Sequence, residues 1–198
     1  MVSDREMEGW VMSEEPIFER IGNLLLERLR GELVPAVLNQ EDDIKLTHPG
    51  AETDYRFGVF LHDIEEVRPY GPPSSVRVSE DTRRHPDRLL ALHFLLYANR
   101  KVPFDSMGGL DEMVLLEAAM RAVHSMEPLE VDDQKVKVSF HELPRNEKTA
   151  LSQSLSSPLQ PAAYLTLEPV KIPSTRIRRT PQVREVQLTT TRKGDAGK

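Results

Sequence analysis

The chain has 198 residues, 38% of them hydrophobic, with no cysteine and a formal net charge of −6. That length suits one domain of ordinary size with a tail, large enough to bury a core without metal or disulfide staples, and the lack of cysteine excludes a disulfide framework, a thiolate nucleophile, an iron–sulfur cluster and a cysteine zinc site. The charge is unevenly placed: from Ser174 onward seven basic residues stand against Glu185 and Asp195, a net of +5 that leaves −11 on residues 1–173.

Met1–Arg20 holds six carboxylates and two arginines, unlike the basic and then apolar start of a secretory signal. The longest apolar run, Leu89–Ala98, contains His93 and falls well short of the roughly 20 residues that span a bilayer. A chain assembled in the cytoplasm, without a membrane span, is the expectation. Residues 1–13 read as a flexible segment. A first helix follows, with Ser13 placed to cap it, Pro16 in its first turn and Ile17, Ile21, Leu24, Leu25 and Leu29 at helical spacing, ended by Gly31 and Pro35. Ile44 and Leu46 mark a loop or edge strand. Arg56–Val67 alternates Phe57, Val59 and Leu61 against Gly58, Phe60 and His62, which predicts a strand.

Arg68–Pro86 carries four of the fifteen prolines and reads as an exposed, mobile excursion between two elements of one sheet. Arg88–Asn99 is almost continuously apolar, as a central strand buried on both faces is. After Gly108 and Gly109, Asp111 is placed to cap a helix that carries Met113, Leu116, Met120 and Val123 on one face and stops by Pro128. Val136, Val138 and Phe140 alternate in a strand, Pro144–Ser156 forms a short polar helix, and Ala163, Leu165 and Leu167 alternate against Tyr164, Thr166 and Glu168 in a last strand. The expected fold is α+β: a single mixed β-sheet flanked by helices over residues 14–173, with Pro173–Pro181 leading into an extended basic arm, residues 174–198.

Little in this order carries catalytic chemistry. The histidines His48, His62, His85, His93, His124 and His141 make no HxH or HExxH spacing, so no metal site is expected. His93 suits a hydrogen-bonded core position and His124 a helix end. The acid pairs Asp42–Asp43, Glu65–Glu66 and Asp132–Asp133 suit solvated loops or edges better than acid–base work, since neighbours on a strand point to opposite faces. A hydrolase built around His62, Asp63 and His93 is a minor alternative. The sequence has no GxSxG, GxxxxGK[ST] or GxGxxG motif, and no cofactor is expected. The arm has no aromatic for base stacking and the body is acidic, which argues against a nucleic-acid partner.

The arm instead contains QVREVQLTTT, Gln182–Thr191, where Val186, Leu188 and Thr190 alternate as in a strand. Such a segment can add to the edge of another protein's sheet, with its arginines selecting an acidic edge. The residues assigned to partner binding are Arg176, Arg178, Arg179, Val183, Arg184, Val186, Leu188 and Thr190.

Four segments together resemble a known family. YRFGVFLHDIEEVRPY at Tyr55–Tyr70, LLALHFLLYANR at Leu89–Arg100, EMVLLEAAMRAVHSMEPLE at Glu112–Glu130 and VKVSFHELPRNEKTALSQSLSSPLQPAAYLTLEPVKI at Val136–Ile172 are similar, in that order, to the cap or tail-terminator proteins of phage-tail-like contractile injection systems. The family often has a tryptophan in the helix near Leu151, whereas the single tryptophan here is Trp10. The resemblance implies a structural protein rather than an enzyme. It further implies a homohexameric ring on the last layer of inner tube and sheath, ending the polymerisation of both, in a phage-tail-like particle. The arm strand, Thr180–Thr191, is then expected to hold the sheath by completing a neighbouring sheet. The alternative is an adaptor or regulator that binds an acidic partner through the same basic arm.

Overall fold

The computed structural model describes residues 15–51, 54–67, 76–77, 82–101 and 109–179. Their elements are α1 (Ile17–Leu33), β1 (Ile44–Leu46), β2 (Phe57–Glu66), β3 (Val76–Arg77), β4 (Thr82–Arg84), β5 (Arg88–Ala98), α2 (Gly109–Ser125), β6 (Leu129–Val131), β7 (Gln134–Phe140), α3 (Arg145–Ser154), β8 (Ala162–Ile172) and β9 (Ile177–Arg179). They fall into two compact units, one within Met1–Arg68 and Leu89–Lys171, the other within Pro69–Arg88 and Ile172–Lys198.

The first unit is the expected α+β body: a mixed six-stranded sheet of order β1-β2-β5-β8-β7-β6 with helices against it. β1 pairs parallel with β2, while β2–β5, β7–β8 and β6–β7 pair antiparallel. The alternation in the sequence determines the faces. Phe57 and Val59 on β2, Leu92, Phe94 and Leu96 on β5, and Leu165 and Leu167 on β8 are all at most 1% exposed. These residues form one core with α1 and α2. The apolar run of β5 lies between β2 and β8, the interior place its composition demands.

α1 buries Ile21, Leu25, Leu26, Leu29 and Leu33. Gly31 does not stop the helix, which continues until Leu33 has reached the core. It ends because Val34 precedes Pro35, a position that disfavours helical backbone; Val34 is extended, at φ −108° and ψ 129°. α2 starts at Gly109, so Asp111 lies in its first turn rather than capping it. Its buried face is Leu115, Leu116, Ala119, Ala122 and Val123, whereas Met113 is 64% and Met120 45% exposed. Of the face expected from the sequence, Leu116 and Val123 are therefore inward as read, and Met113 and Met120 face outward. The helix turns its alanines to the core, where small side chains permit close approach.

The other face of the sheet is covered in part by α3, whose Leu151 packs with Leu155 on Tyr55, Leu95, Tyr97 and Tyr164. Gly58 stands directly opposite Tyr97 in the β2–β5 register, and a Cβ at position 58 would overlap the Tyr97 ring. That close approach lets the Tyr97 hydroxyl share a 2.8 Å hydrogen bond with the Tyr55 hydroxyl and meet the Thr47 carbonyl at 3.1 Å.

The second unit contains a three-stranded sheet of order β3-β4-β9. It corrects two expectations. The excursion between β2 and β5 contributes strands β3 and β4, and the Pro173–Pro181 segment, expected to be a linker, contributes β9. Both were missed because two- and three-residue strands rich in arginine have no apolar alternation to betray them.

Candidate functional site

β9 brings part of the basic arm into register with the excursion. Thr82, Arg83 and Arg84 pair antiparallel with Arg179, Arg178 and Ile177, and Val76 and Arg77 pair with Arg84 and Arg83. Arg77, Arg83 and Arg178 therefore occupy one cross-strand row. Like charges placed directly opposite each other are unfavourable by roughly 0.2–1 kcal/mol per pair, so a row of three cationic positions is suited to an anionic partner. The connection into β9 is pinned beside the row. The His85 amide donates to the Arg176 carbonyl at 2.9 Å, the Ser174 amide donates to Asp87 Oδ1 at 3.1 Å, and the Arg176 amide donates to Ser174 Oγ at 3.2 Å. Asp87, with its side chain 8% exposed, also receives Arg84 at 3.3 Å. That carboxylate neutralises Arg84, whereas Arg83 remains exposed.

Of the residues assigned to partner binding, Arg176 precedes β9, and Arg178 and Arg179 are in it. Val183, Arg184, Val186, Leu188 and Thr190, with the whole Thr180–Thr191 strand, lie outside the described residues, as does Ser13. Sequence reasoning missed Arg77, Arg83 and Arg84. Their signal was a second basic cluster inside a proline-rich excursion, whose pairing with a segment some 95 positions later has no local trace.

A second polar region lies on the outer face of the six-stranded sheet. His93, 7% exposed, shares a 3.0 Å hydrogen bond between its Nδ1 and Thr166 Oγ1, and its Nε2 lies 3.6 Å from Glu65 Oε2. His62 and His141 flank it with ring centroids 6.1 Å and 5.1 Å away. A β-bulge lies within this cluster: the register passes from Leu61↔Phe94 to Asp63↔His93, leaving His62 as the extra residue. Beyond it Glu65, rather than Ile64, shares the face of His93. Burial, then the neighbouring His93 and His141, push the His62 pKa down to about 4, against the raising effect of Asp63. Its Nε2 is buried without a hydrogen-bond partner.

His93 and His141 border a cavity of about 820 Å³ that is also lined by Glu65, Glu66, Thr166 and Glu168 among others. The Thr166–His93–Glu65 series has the order hydroxyl, imidazole, carboxylate, but Thr166 is only 8% exposed. It satisfies a buried histidine rather than offering a nucleophile. His93 and Asp63 face each other in register, yet Asp63 Oδ1 accepts the amide of Ile64 at 2.9 Å, so the grouping His62–Asp63–His93 does not form a triad. Among the described residues no group of three or more histidines and carboxylates is placed to hold a metal ion, and no helix is long and apolar enough to cross a membrane.

Comparison with known proteins supplies the remaining evidence. Residues 20–185 match the Pvc16 N-terminal domain family. The fold is similar to that of the sheath/tube terminator of PVC, an extracellular contractile injection system, in its extended state. The TM-score is 0.61 at 16% identity, over 94% of this chain and 67% of that one. It is also similar to the tube-terminating cap of the anti-feeding prophage, with a TM-score of 0.51 at 14% identity, over 89% of this chain and 62% of that one. The chain thus spans about two thirds of the length of either. No curated protein matches it.

Proposed function

The chain belongs to the Pvc16 N-terminal domain family, and from that premise we propose that it is a structural cap, or tail terminator, of a contractile injection system. In this reading it forms a ring, of six copies as the sequence resemblance implies, on the last layer of inner tube and sheath. Polymerisation of both ends there, and no catalysis is required of it. The observation that carries the reading is the family match over residues 20–185, joined to a fold shared with a sheath/tube terminator over 94% of the chain.

The arm supplies the hold on the sheath. Residues 180–191 add as a strand to an acidic sheet edge of the sheath protein, and the arginines at 77, 83 and 178 take the flanking carboxylates. One such addition per subunit, repeated around a ring, gives avidity without a tight single contact. Because Ile177–Arg179 pair with β4, the informative truncation removes residues 180–198 and leaves β9 in place.

Negative-stain electron microscopy with native mass spectrometry, with and without sheath, tests this. Six-fold rings whose sheath binding is lost on truncation support it. A strict monomer under both conditions overturns it in favour of an adaptor that binds an acidic partner, the reading the arginine row alone would favour. Rings that hold sheath unchanged without residues 180–198 remove the arm from the account.

A further inference from the structure

The cavity on the outer face of the six-stranded sheet is framed by residues that the strand order brings together. Ala91 stands directly opposite Glu65 in the β2–β5 register. β5 and β8 are neighbours, His93 bonds Thr166, and Gln160, just before β8, donates to the Ala98 carbonyl at the end of β5. The two strands therefore run antiparallel, so the step from His93 to Ala91 matches the step from Thr166 to Glu168. Side chains two residues apart on a strand share a face. Ala91, 2% exposed, is thus a small floor residue with a glutamate on the strand to either side, and all five residues line the one cavity.

The groups around this floor accept hydrogen bonds and have few partners of their own. Glu65, its side chain 71% exposed, has His93 Nε2 at 3.6 Å, beyond hydrogen-bond distance. Glu168 is exposed, and among the described residues no hydrogen bond engages its carboxylate. Lys137 stands opposite Glu168 in the β7–β8 register but is exposed and outside the cavity lining, which holds neither lysine nor arginine. His93 is more than nine-tenths buried and fixed through Nδ1 to Thr166, yet its Nε2, bordering the cavity, makes no hydrogen bond. With Nδ1 donating to Thr166 Oγ1, that Nε2 presents a lone pair, and a buried polar atom left without a partner is costly.

We propose that this cavity binds the guanidinium group of an arginine presented by another polypeptide chain. β2 and β8 lie about 9.5 Å apart across β5, so the Glu65 and Glu168 carboxylates approach the space over Ala91 from opposite sides, with His93 Nε2 on a third. A planar guanidinium carries N–H donors on three sides and satisfies such a spread of acceptors, two of them through charge-assisted bonds. A compact ammonium is a point charge and cannot span them. A volume of about 820 Å³ leaves room for the side chain and the backbone that carries it.

The probe is N-acetyl-arginine amide, titrated at pH 7.5 into the full chain while the imidazole signals of its six histidines are followed by NMR. The signals of His93 and His141, identified with His93→Gln and His141→Gln, should shift saturably, and those of His48, His85 and His124 should not. The neutral citrulline analogue should produce no shift, and N-acetyl-lysine amide should bind about threefold more weakly or worse. Glu65→Gln combined with Glu168→Gln should weaken arginine binding about tenfold. Glu32→Gln combined with Glu127→Gln removes the same charge from two other exposed positions and should change it by less than about twofold. The absence of a saturable shift, equal binding of citrulline or lysine, or equal loss in the two double variants would each overturn the proposal. If the His93 and His141 signals move with protein concentration alone, and cease to in the Glu65→Gln, Glu168→Gln variant, the proposal holds and a second copy supplies the arginine. Constant signals, with the probe binding as expected, support it with a different protein as the source.

Discussion

Strands β5 and β8 run for 11 residues each and turn Leu92, Phe94, Leu96, Leu165 and Leu167 into one continuous core. Strands β4 and β9 run for three residues each and set arginine opposite arginine. The long sheet draws its stability from apolar area, at roughly 25 cal/mol per Å² buried, and can bear local imperfections. The short sheet has neither the length nor the apolar sequence for that, and its register sets arginine positions opposite one another. If the proposed function holds, stability and recognition reside in different sheets, and substitutions should separate them.

The largest expected effect is in the long sheet. Leu96 is fully buried on the central strand, and Leu96→Ala removes transfer energy and leaves a cavity, which should cost about 2–5 kcal/mol in chemical denaturation. A loss under about 1 kcal/mol would mean that the core is looser than the packing indicates. Gly58→Ala comes next. Its Cβ would strike the Tyr97 ring, and displacing that ring breaks the bond to Tyr55, for about 1–3 kcal/mol. Combining it with Tyr97→Ala should restore part of the loss, because the two sites share one clash. Strict additivity in the double mutant would show that Tyr97 is not the cause.

The contrast between the sheets also explains what could be read before the structure. The faces of β2 and β8 followed from period-two alternation, because burial on one side writes itself into successive residues, and the interior place of β5 followed from its continuous apolar run. α2 was placed to within about three residues, and its inward face was half read: Leu116 and Val123 are buried as expected, whereas Met113 and Met120 are exposed and Leu115 and Ala119 take the core, a choice the sequence leaves open when apolar residues surround the helix. β9 could not be read at all. Its pairing joins Arg83 to Arg178, and the energy lies in backbone bonds that any sequence can make. The histidine cluster was half visible, since His62 falls opposite the Phe57–Val59 face of a predicted strand and His93 suits a hydrogen-bonded position in the buried strand beside it. The bulge that turns Glu65 to the face of His93, and His141 just beyond β7, are matters of register, which one sequence does not encode locally.

That cluster gives the long sheet a condition-dependent weakness. The His62 pKa is held near 4 in the fold against 6.5 when unfolded. The unfolded chain therefore binds the proton first, and the stabilisation is complete above about pH 6.5 and lost as pH falls toward 4. Solvent reaching the ring screens it, which keeps the contribution to about 1 kcal/mol. His62→Phe should leave stability at pH 7.5 unchanged or slightly raised, since it removes a buried nitrogen without a partner. Melting curves of the variant and the wild type should then diverge between pH 6.5 and 4. Parallel curves over that window would relieve His62 of the role.

The smallest effect on stability belongs to the short sheet, where the sign itself is informative. Arg83 is exposed and sits between Arg77 and Arg178 in the cross-strand row. Arg83→Glu replaces two repulsive pairings with two attractive ones, so at low salt the folded state should gain roughly 0.2–1 kcal/mol, and the gain should fade as salt screens it. The same change should weaken binding to an acidic sheath edge by about 1 kcal/mol, roughly fivefold in affinity. A substitution that stabilises the protein while impairing its binding identifies residues kept for recognition rather than for folding. If Arg83→Glu instead lowers stability and leaves sheath binding intact, the row is a structural feature of the small sheet, and recognition must rest on residues 180–198 alone.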